Sequence, residues 1–375
     1  MLEKLEQRTR NIRDWYGRFE RPVSSLSLLA GFVFDIVTLK RLDTLWENSW
    51  ILAHILIVGF FIILIHVKEG ESGDEVNPSK AHFWYVNILQ FFFGGLLSTF
   101  LVFYFRSADI LVTWPFIFIL AIAFIANESL KRHYIRFSFQ ISLFFLSIYS
   151  FSIFLVPVVL HRIGRSIFLL SGLLSLVFIA VFVLILFRFI KDKKSQNVLG
   201  GHDSKRMTMY SVLGVFVLVN VLYFTNLIPP IPLSLKDADV YHLIRKNEEG
   251  NYDVTYEDHG WKGYFKLYQD FQMAPGTPVY AYSAIFSPRR LNIHILHEWQ
   301  HYDEETGKWK TASTVNLPVI GGRDGGFRTY SVRYNLEPGK WRVNIKTEQD
   351  QTIGHLRFNL VPVDTVPPLS FEVKK

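Results

Sequence analysis

Apolar and polar positions divide the chain into two unlike parts. As far as residue 228 the apolar positions run together in long blocks, at 23–39, 50–67, 84–105, 108–126, 137–160, 167–189 and 207–228. A helix needs roughly 20 apolar residues to cross a hydrocarbon layer of ~30 Å. The blocks therefore predict a multi-pass α-helical membrane bundle of seven helices over 23–233. Pro115 and Pro157 fall inside two blocks, where neighbouring helices can re-satisfy the freed carbonyls. The first block is short and contains Asp35. Ahead of it, Leu2, Leu5, Ile12, Tyr16 and Phe19 recur on one helical face opposite Arg8, Arg10, Arg13 and Arg18. Residues 1–22 thus read as an amphipathic helix on the cytoplasmic membrane surface. They lack the short apolar core and small-residue cleavage site of a signal peptide.

Beyond "IPPIPLSLKD", where Pro229, Pro230 and Pro232 stop the last helix, the period changes. Short runs rich in Val, Ile, Tyr, Phe and Trp alternate with turn clusters: "NEEGN", "APGTP", "SPRR", "DEETGK", "GGRDGG", "EPGK" and "EQDQ". This spacing predicts an all-β, immunoglobulin-like sandwich over 234–375.

Charge orients the two parts. The net charge is +7. Residues 236–375 carry 18 basic and 18 acidic side chains, so the excess lies wholly in the apolar part. That distribution points to membrane orientation rather than nucleic-acid binding. With the N-terminus inside, the inner segments hold seventeen Lys and Arg, and the outer loops hold five, Lys40, Arg41, Arg106, Arg162 and Arg165. The positive-inside rule then places the N-terminus in the cytoplasm. Seven crossings put the β domain outside, in the periplasm of a bacterial inner membrane. The chain has no cysteine, which removes disulfides, thiolate nucleophiles and cysteine-bound metals.

One candidate for chemistry is "LHEWQHYD", in which His297-Glu298-Trp299-Gln300-His301 spells the zinc-protease signature H-E-x-x-H. That motif works on a helix, where positions i and i+4 sit about one turn apart. Here Leu291, Ile293, Ile295, His297 and Trp299 alternate with Asn292, His294, Glu298 and Gln300, and the run ends at the turn "DEETGK". The alternation predicts a hairpin strand. On a strand the two histidines stand roughly 13 Å apart, too far for one zinc ion to accept both. Asp303 also occupies a position where the motif expects an apolar residue. No metal ligand, cofactor or catalytic residue is therefore assigned.

Four residues are candidates for ligand binding. Arg323 and Arg328, in and after "GGRDGGFR", could present forked donors to a carboxylate or phosphate. The plainer and preferred reading of the same stretch is a loop needing positive φ at Gly321, Gly322, Gly325 or Gly326, leading into a strand at 327–336. Tyr302 and Trp309 could form an aromatic platform for sugars or peptides, although Trp299, Trp309 and Trp341 all suit a core. In the apolar part, Asp35, Asn87, Gln90, Asp109, Gln140 and Asn220 are the polar groups that could serve transport. "FFFGGLLST" offers Gly94 and Ser98 as a small-residue seam for close helix packing.

The stretches "GFVFDIVTLKRLD", "FFFGGLLSTFLVFYFRSAD", "LYFTNLIPPIPLSLKD", "HEWQHYD", "GGRDGGFRTYS" and "PGKWRV…IGHLRF" resemble domain-of-unknown-function family 2914 of bacterial membrane proteins. The C-terminal part of the resemblance runs over 275–363. It implies a membrane protein ending in a compact β domain, and no activity. The expected role is non-enzymatic. The sandwich recognises an envelope protein or glycan, and the helices anchor it in the lipid bilayer. A small-solute transporter or channel is the alternative, and a membrane zinc metalloprotease the third reading.

Overall fold

The computed structural model describes residues 30–39, 44–71, 80–107, 110–129, 137–189, 202–260, 266–289, 291–323 and 325–374. The amphipathic segment expected at 1–22, Asp109 and most of the basic inner segments lie outside these residues. Among the described residues there are seven helices: α1 (30–38), α2 (Leu45–Glu71), α3 (Lys80–Ser107), α4 (Ile110–Ser129), α5 (Phe137–Leu160), α6 (Arg165–Phe189) and α7 (His202–Phe224). Five of them, α2, α3, α5, α6 and α7, are long and apolar enough to cross a membrane. Of the other two predicted spans, α4 has an apolar helical stretch described over Val112–Ala126, and α1 is described over nine helical residues.

One compact unit holds the helical residues up to Val221, apart from 106–115 and 156–168. Its interior is aromatic: Phe93, Phe144 and Phe182 meet edge to face, and Tyr104 packs on Phe116 with ring centroids 4.7 Å apart. Small residues set the helix spacing. A Cβ on Gly172 would come within 2.8 Å of the Tyr149 hydroxyl, and one on Gly95 within 3.3 Å of His54. Beside the seam expected at Gly94 and Ser98, Gly95 faces His54, and Ser98 donates a hydrogen bond to Asp35. That bond gives Asp35 a partner on α3. The opposite face of α6 exposes Leu169, Leu173, Val177, Val181 and Leu184. A contiguous apolar stripe of this length suits lipid rather than water.

The second unit takes in Leu222–Lys375 with the two segments 106–115 and 156–168. α7 ends at Phe224, four residues before the predicted limit and ahead of the prolines. Asn226 adopts φ 58°, and Leu227 N–H donates to Leu222 O at 2.8 Å. This left-handed cap satisfies the helix's last carbonyls locally.

Eleven strands follow among the described residues, in three sheets. The first has the order β1 (Ser234–Tyr241), β5 (Val279–Phe286), β8 (Phe327–Arg333). The second has the order β4 (Gln269–Met273), β10 (Thr352–Pro362), β9 (Gly339–Thr347), β6 (Ile293–Asp303), β7 (Lys308–Val319). The third joins β11 (Ser370–Lys374), β3 (Tyr252–Tyr256) and β2 (Leu243–Lys246). The recorded pairings are antiparallel except β4 with β10.

Period-two patterning builds the core. On β9, Trp341, Val343 and Ile345 are buried while Arg342, Asn344 and Lys346 alternate with them. One apolar cluster joins Val279 and Ala281 of β5 to Trp299, Val343 and Phe358 of the five-stranded sheet. A second joins Ile285 to Ile293, Ile295 and Ile345. The β5 side and the five-stranded sheet therefore share one interior, which fixes which face of β6, β7 and β9 remains outward.

Candidate functional site

The H-E-x-x-H stretch lies on β6, as its alternation predicts. His297 is fully buried, with Nε2 2.9 Å from Ser283 Oγ and Nδ1 2.9 Å from Ser331 Oγ. A neutral imidazole has one donor and one acceptor nitrogen, so the two serines satisfy it completely. Burial pushes its pKa down to about 4. His301 packs on Trp341 at 4.8 Å and donates from Nε2 to Pro338 O at 3.1 Å. The two histidines thus have separate partners. Among the described residues no group of three or more His, Asp or Glu side chains is placed to hold a metal.

Glu298, between them, points to the outer face. Burial opposes its charge, but Lys346 at 2.8 Å and Asn344 at 2.9 Å hold its pKa below the ordinary value. Thr311 donates to its other oxygen at 3.4 Å. Gln300, expected on the same polar face, is buried. A bulge between Trp299 and Gln300 shifts the register against β7. Gln300 Oε1 then accepts from Arg342 Nε at 2.6 Å, while its amide donates to Thr311 at 3.0 Å.

Tyr302 and Trp309 are brought together. They are register partners across β6 and β7, with rings 5.2 Å apart. The Arg342 guanidinium lies 4.3 Å from the Trp309 ring and the Lys340 ammonium 5.7 Å from the Tyr302 ring. Cation–π contact of this kind orients the guanidinium. Beside them, Asp303 closes the hairpin turn. Its carboxylate accepts from Lys310, from Thr306 Oγ1 at 2.8 Å and from Glu305 N–H at 3.0 Å. Lys310 first, then Thr306, holds the Asp303 pKa well below the usual carboxylate range. Gly307, at φ 66°, returns its N–H to Asp303 O.

Arg323 and Arg328 lie apart from this pair. Arg328 belongs to β8 in the three-stranded sheet, and its guanidinium donates to Lys374 O at 2.5 Å, Asn251 Oδ1 at 3.3 Å and Gly250 O at 3.5 Å. The fork read from sequence as a ligand clamp is thus engaged with neighbouring turns and the chain end. Arg323 lies 5.9 Å from the Phe327 ring. Of the four glycines around them, Gly322 and Gly326 have positive φ, 106° and 85°. A Cβ on Gly326 would come within 2.9 Å of the Ala284 and Ile285 backbone, whereas one on Gly325 meets nothing within 4 Å. Gly326→Ala is expected to cost about 1–3 kcal/mol or more in a denaturant titration, and Gly325→Ala less than about 0.5 kcal/mol.

In the helical unit, Gln140 is fully buried and lies 2.9 Å from His66 Nε2, and Gln90 is also buried. Asn220 Nδ2 donates to the Tyr149 hydroxyl at 3.2 Å. Two cavities among the described residues are lined by other side chains: Arg206, Met207, Tyr210 and Ser211, and Ile163–Ser166 with Glu348–Asp350.

A set of membrane-length helices followed by a β-rich domain defines the class of the protein. Within that domain, residues 292–360 match the family described as "Protein of unknown function (DUF2914)". The match spans β6, β7, β8, β9 and most of β10. It lies inside the stretch where the sequence resembles that family, and the helical stretches fall outside it. No curated protein matches the chain. Two solved structures illustrate the remaining likenesses. A β-glucosidase from Listeria innocua in complex with isofagomine is 8% identical over 36% of this chain and 17% of its own, with a TM-score of 0.20. The Pseudomonas fluorescens alkylpurine DNA glycosylase AlkC, bound to DNA containing an abasic site analog, is 9% identical over 85% of this chain and 99% of its own, with a TM-score of 0.22. The chain spans about one sixth of the β-glucosidase's length. At such scores neither likeness carries an argument about this protein.

Proposed function

We propose that the protein is a membrane-anchored recognition module without enzymatic activity. Its β domain, an immunoglobulin-like sandwich outside the cytoplasmic membrane, binds an envelope component or partner protein. The sandwich reading is supported by the interior shared between the β5 side and the five-stranded sheet; the third sheet is an addition to it. The observation that carries the recognition role is the outer face of β6, β7 and β9. Tyr302 and Trp309 form an aromatic pair there, flanked by Lys340 and Arg342, and side-chain hydrogen bonds hold that face in one arrangement. A rigid aromatic and cationic surface is suited to binding.

Orientation rests on the last helix. Arg188, Lys191, Lys193, Lys194, Lys205 and Arg206 flank the start of α7, whereas its far end leads into the neutral β domain. A basic cluster on one flank favours the cytoplasmic side for that flank, whatever the number of earlier spans.

Capture tests the role directly. The tagged full chain in detergent is expected to retain a component of envelope extract that a Tyr302→Ala, Trp309→Ala double variant retains at least about tenfold less, the scale of two anchor contacts. An identical set of retained components from both proteins would refute this choice of surface.

A further inference from the structure

Arg342 and Arg357 are register partners on β9 and β10, with β-carbons on the outward face of the sheet. Like charges directly opposite one another on an antiparallel pair destabilise it. A guanidinium stays charged at any physiological pH, so this pair cannot relieve itself by losing a proton. Burial, and beyond it the Arg357 charge, holds the Arg342 pKa below its ordinary value.

Of the neighbouring acids, Glu298 favours the Arg342 charge without bonding to it. Glu298 is engaged with Lys346, Asn344 and Thr311. Asp270, at the other edge of the sheet, takes Lys266 and Asn359. Among the described residues neither arginine forms an ion pair. Arg342 uses only Nε, toward Gln300, and Arg357 Nε is buried with no hydrogen-bond partner. A buried donor left without a partner costs free energy, and this cost adds to that of the like-charge pairing, which a counter-charge on the two forks would offset.

We propose that Arg342 and Arg357 form an oxyanion-binding site on the outer face of the five-stranded sheet, taking the acid groups of an acidic glycan. Two forks at cross-strand spacing can each grip a carboxylate or phosphate bidentately. Trp309 supports the Arg342 guanidinium from beneath and Gln300 fixes its Nε, so one fork is preorganised. Tyr302, on the adjoining row, supplies a ring against which a pyranose can stack. The exposed residues of β7 on that face include Thr311, Thr314 and Asn316, which offer no apolar patch for lipid tails. Carboxylate and phosphate groups share the oxyanion chemistry, and the probes below separate an acidic glycan from a free anion.

This inference rests on the recognition role proposed above and specifies its ligand. Titration calorimetry of the full chain in detergent against tetragalacturonate is expected to show binding that inorganic pyrophosphate competes away. Neutral maltotetraose is expected not to bind. Arg342→Gln and Arg357→Gln should each weaken tetragalacturonate binding at least about tenfold, the scale of one charge-assisted fork, without a comparable fall in thermal midpoint. Arg342→Lys, which keeps the charge and loses the fork, should fall between them and the parent. Equal binding of maltotetraose, or unchanged affinity in both glutamine variants, overturns the proposal. Binding of pyrophosphate alone overturns the glycan assignment. If tetragalacturonate fails to bind while capture from envelope extract still depends on Tyr302 and Trp309, the ligand class is wrong and the recognition role stands. Loss of both results removes both.

Discussion

Trp299→Ala is expected to lower the stability of the β domain by about 3–5 kcal/mol, the range for truncating a buried tryptophan. The side chain has no exposure, meets Phe358 edge to face at 6.3 Å and donates from Nε1 to Ser331 Oγ at 3.0 Å. It sits in the cluster that joins β5 to the five-stranded sheet, so the cavity would open between two rigid surfaces that cannot close on it. For a domain of this size the thermal midpoint should fall on the order of 10 °C. Trp299→Phe retains most of the volume and loses the N–H, and should cost roughly a third as much. Differential scanning of the full chain in detergent, with the β-domain transition followed by near-UV circular dichroism, reads both. An Ala variant with an unshifted transition would mean that the two sheets do not share this interior.

Acid should weaken the same domain through His297. Burial holds its folded-state pKa at about 4 against an ordinary value of 6.5. Between these values the unfolded chain binds a proton that the folded chain refuses, so stability rises with pH. The contribution is complete above pH 6.5 and is lost progressively as the pH falls toward 4, on the order of 3 kcal/mol in all. Other groups titrate nearby. Burial raises the Asp239 pKa, and Glu298 is held low, so the total slope is composite. His297→Gln isolates the term, because a carboxamide can serve both serines without titrating. Urea titrations at pH 7, 6, 5 and 4.5 should show the parent losing stability more steeply than the variant. Parallel curves would mean that the imidazole is not sealed from solvent.

His297 also shows how far the sequence could be read. Alternation from Leu291 to Trp299 makes β6 a strand and keeps the two histidines off a common zinc ion. The serines that satisfy His297 come from β5 and β8, 14 and 34 residues away, and no local pattern announces them. The place of Gln300 was equally hidden: it keeps its expected face, but its register partner on β9 is Arg342, whose guanidinium takes it into a buried network. Asn226 misled for the opposite reason. The prolines that follow are conspicuous, yet a left-handed asparagine had already ended α7. In the apolar part, hydropathy marked the blocks, and among the described residues five of the seven helices are long and apolar enough to cross a membrane.

The candidate surface was half legible. Tyr302 and Trp309 frame the turn "DEETGK" and pair as a hairpin requires. Arg323 and Arg328 drew attention because they flank glycines, but Arg328 is tied to Lys374, Asn251 and Gly250. Arg342 and Arg357 drew none. Each is an ordinary outward residue in its own strand, and only the β9–β10 register sets the two charges side by side.

The side of the membrane on which the β domain stands is tested most directly by single-cysteine labelling, since the chain has no cysteine of its own. Lys308→Cys places a thiol at an exposed position of β7, and Lys194→Cys places one in the basic segment before α7. With a membrane-impermeant maleimide on cells whose cytoplasmic membrane is intact, position 308 should label and position 194 should label only after lysis. The reverse pattern would put the β domain in the cytosol and contradict the account.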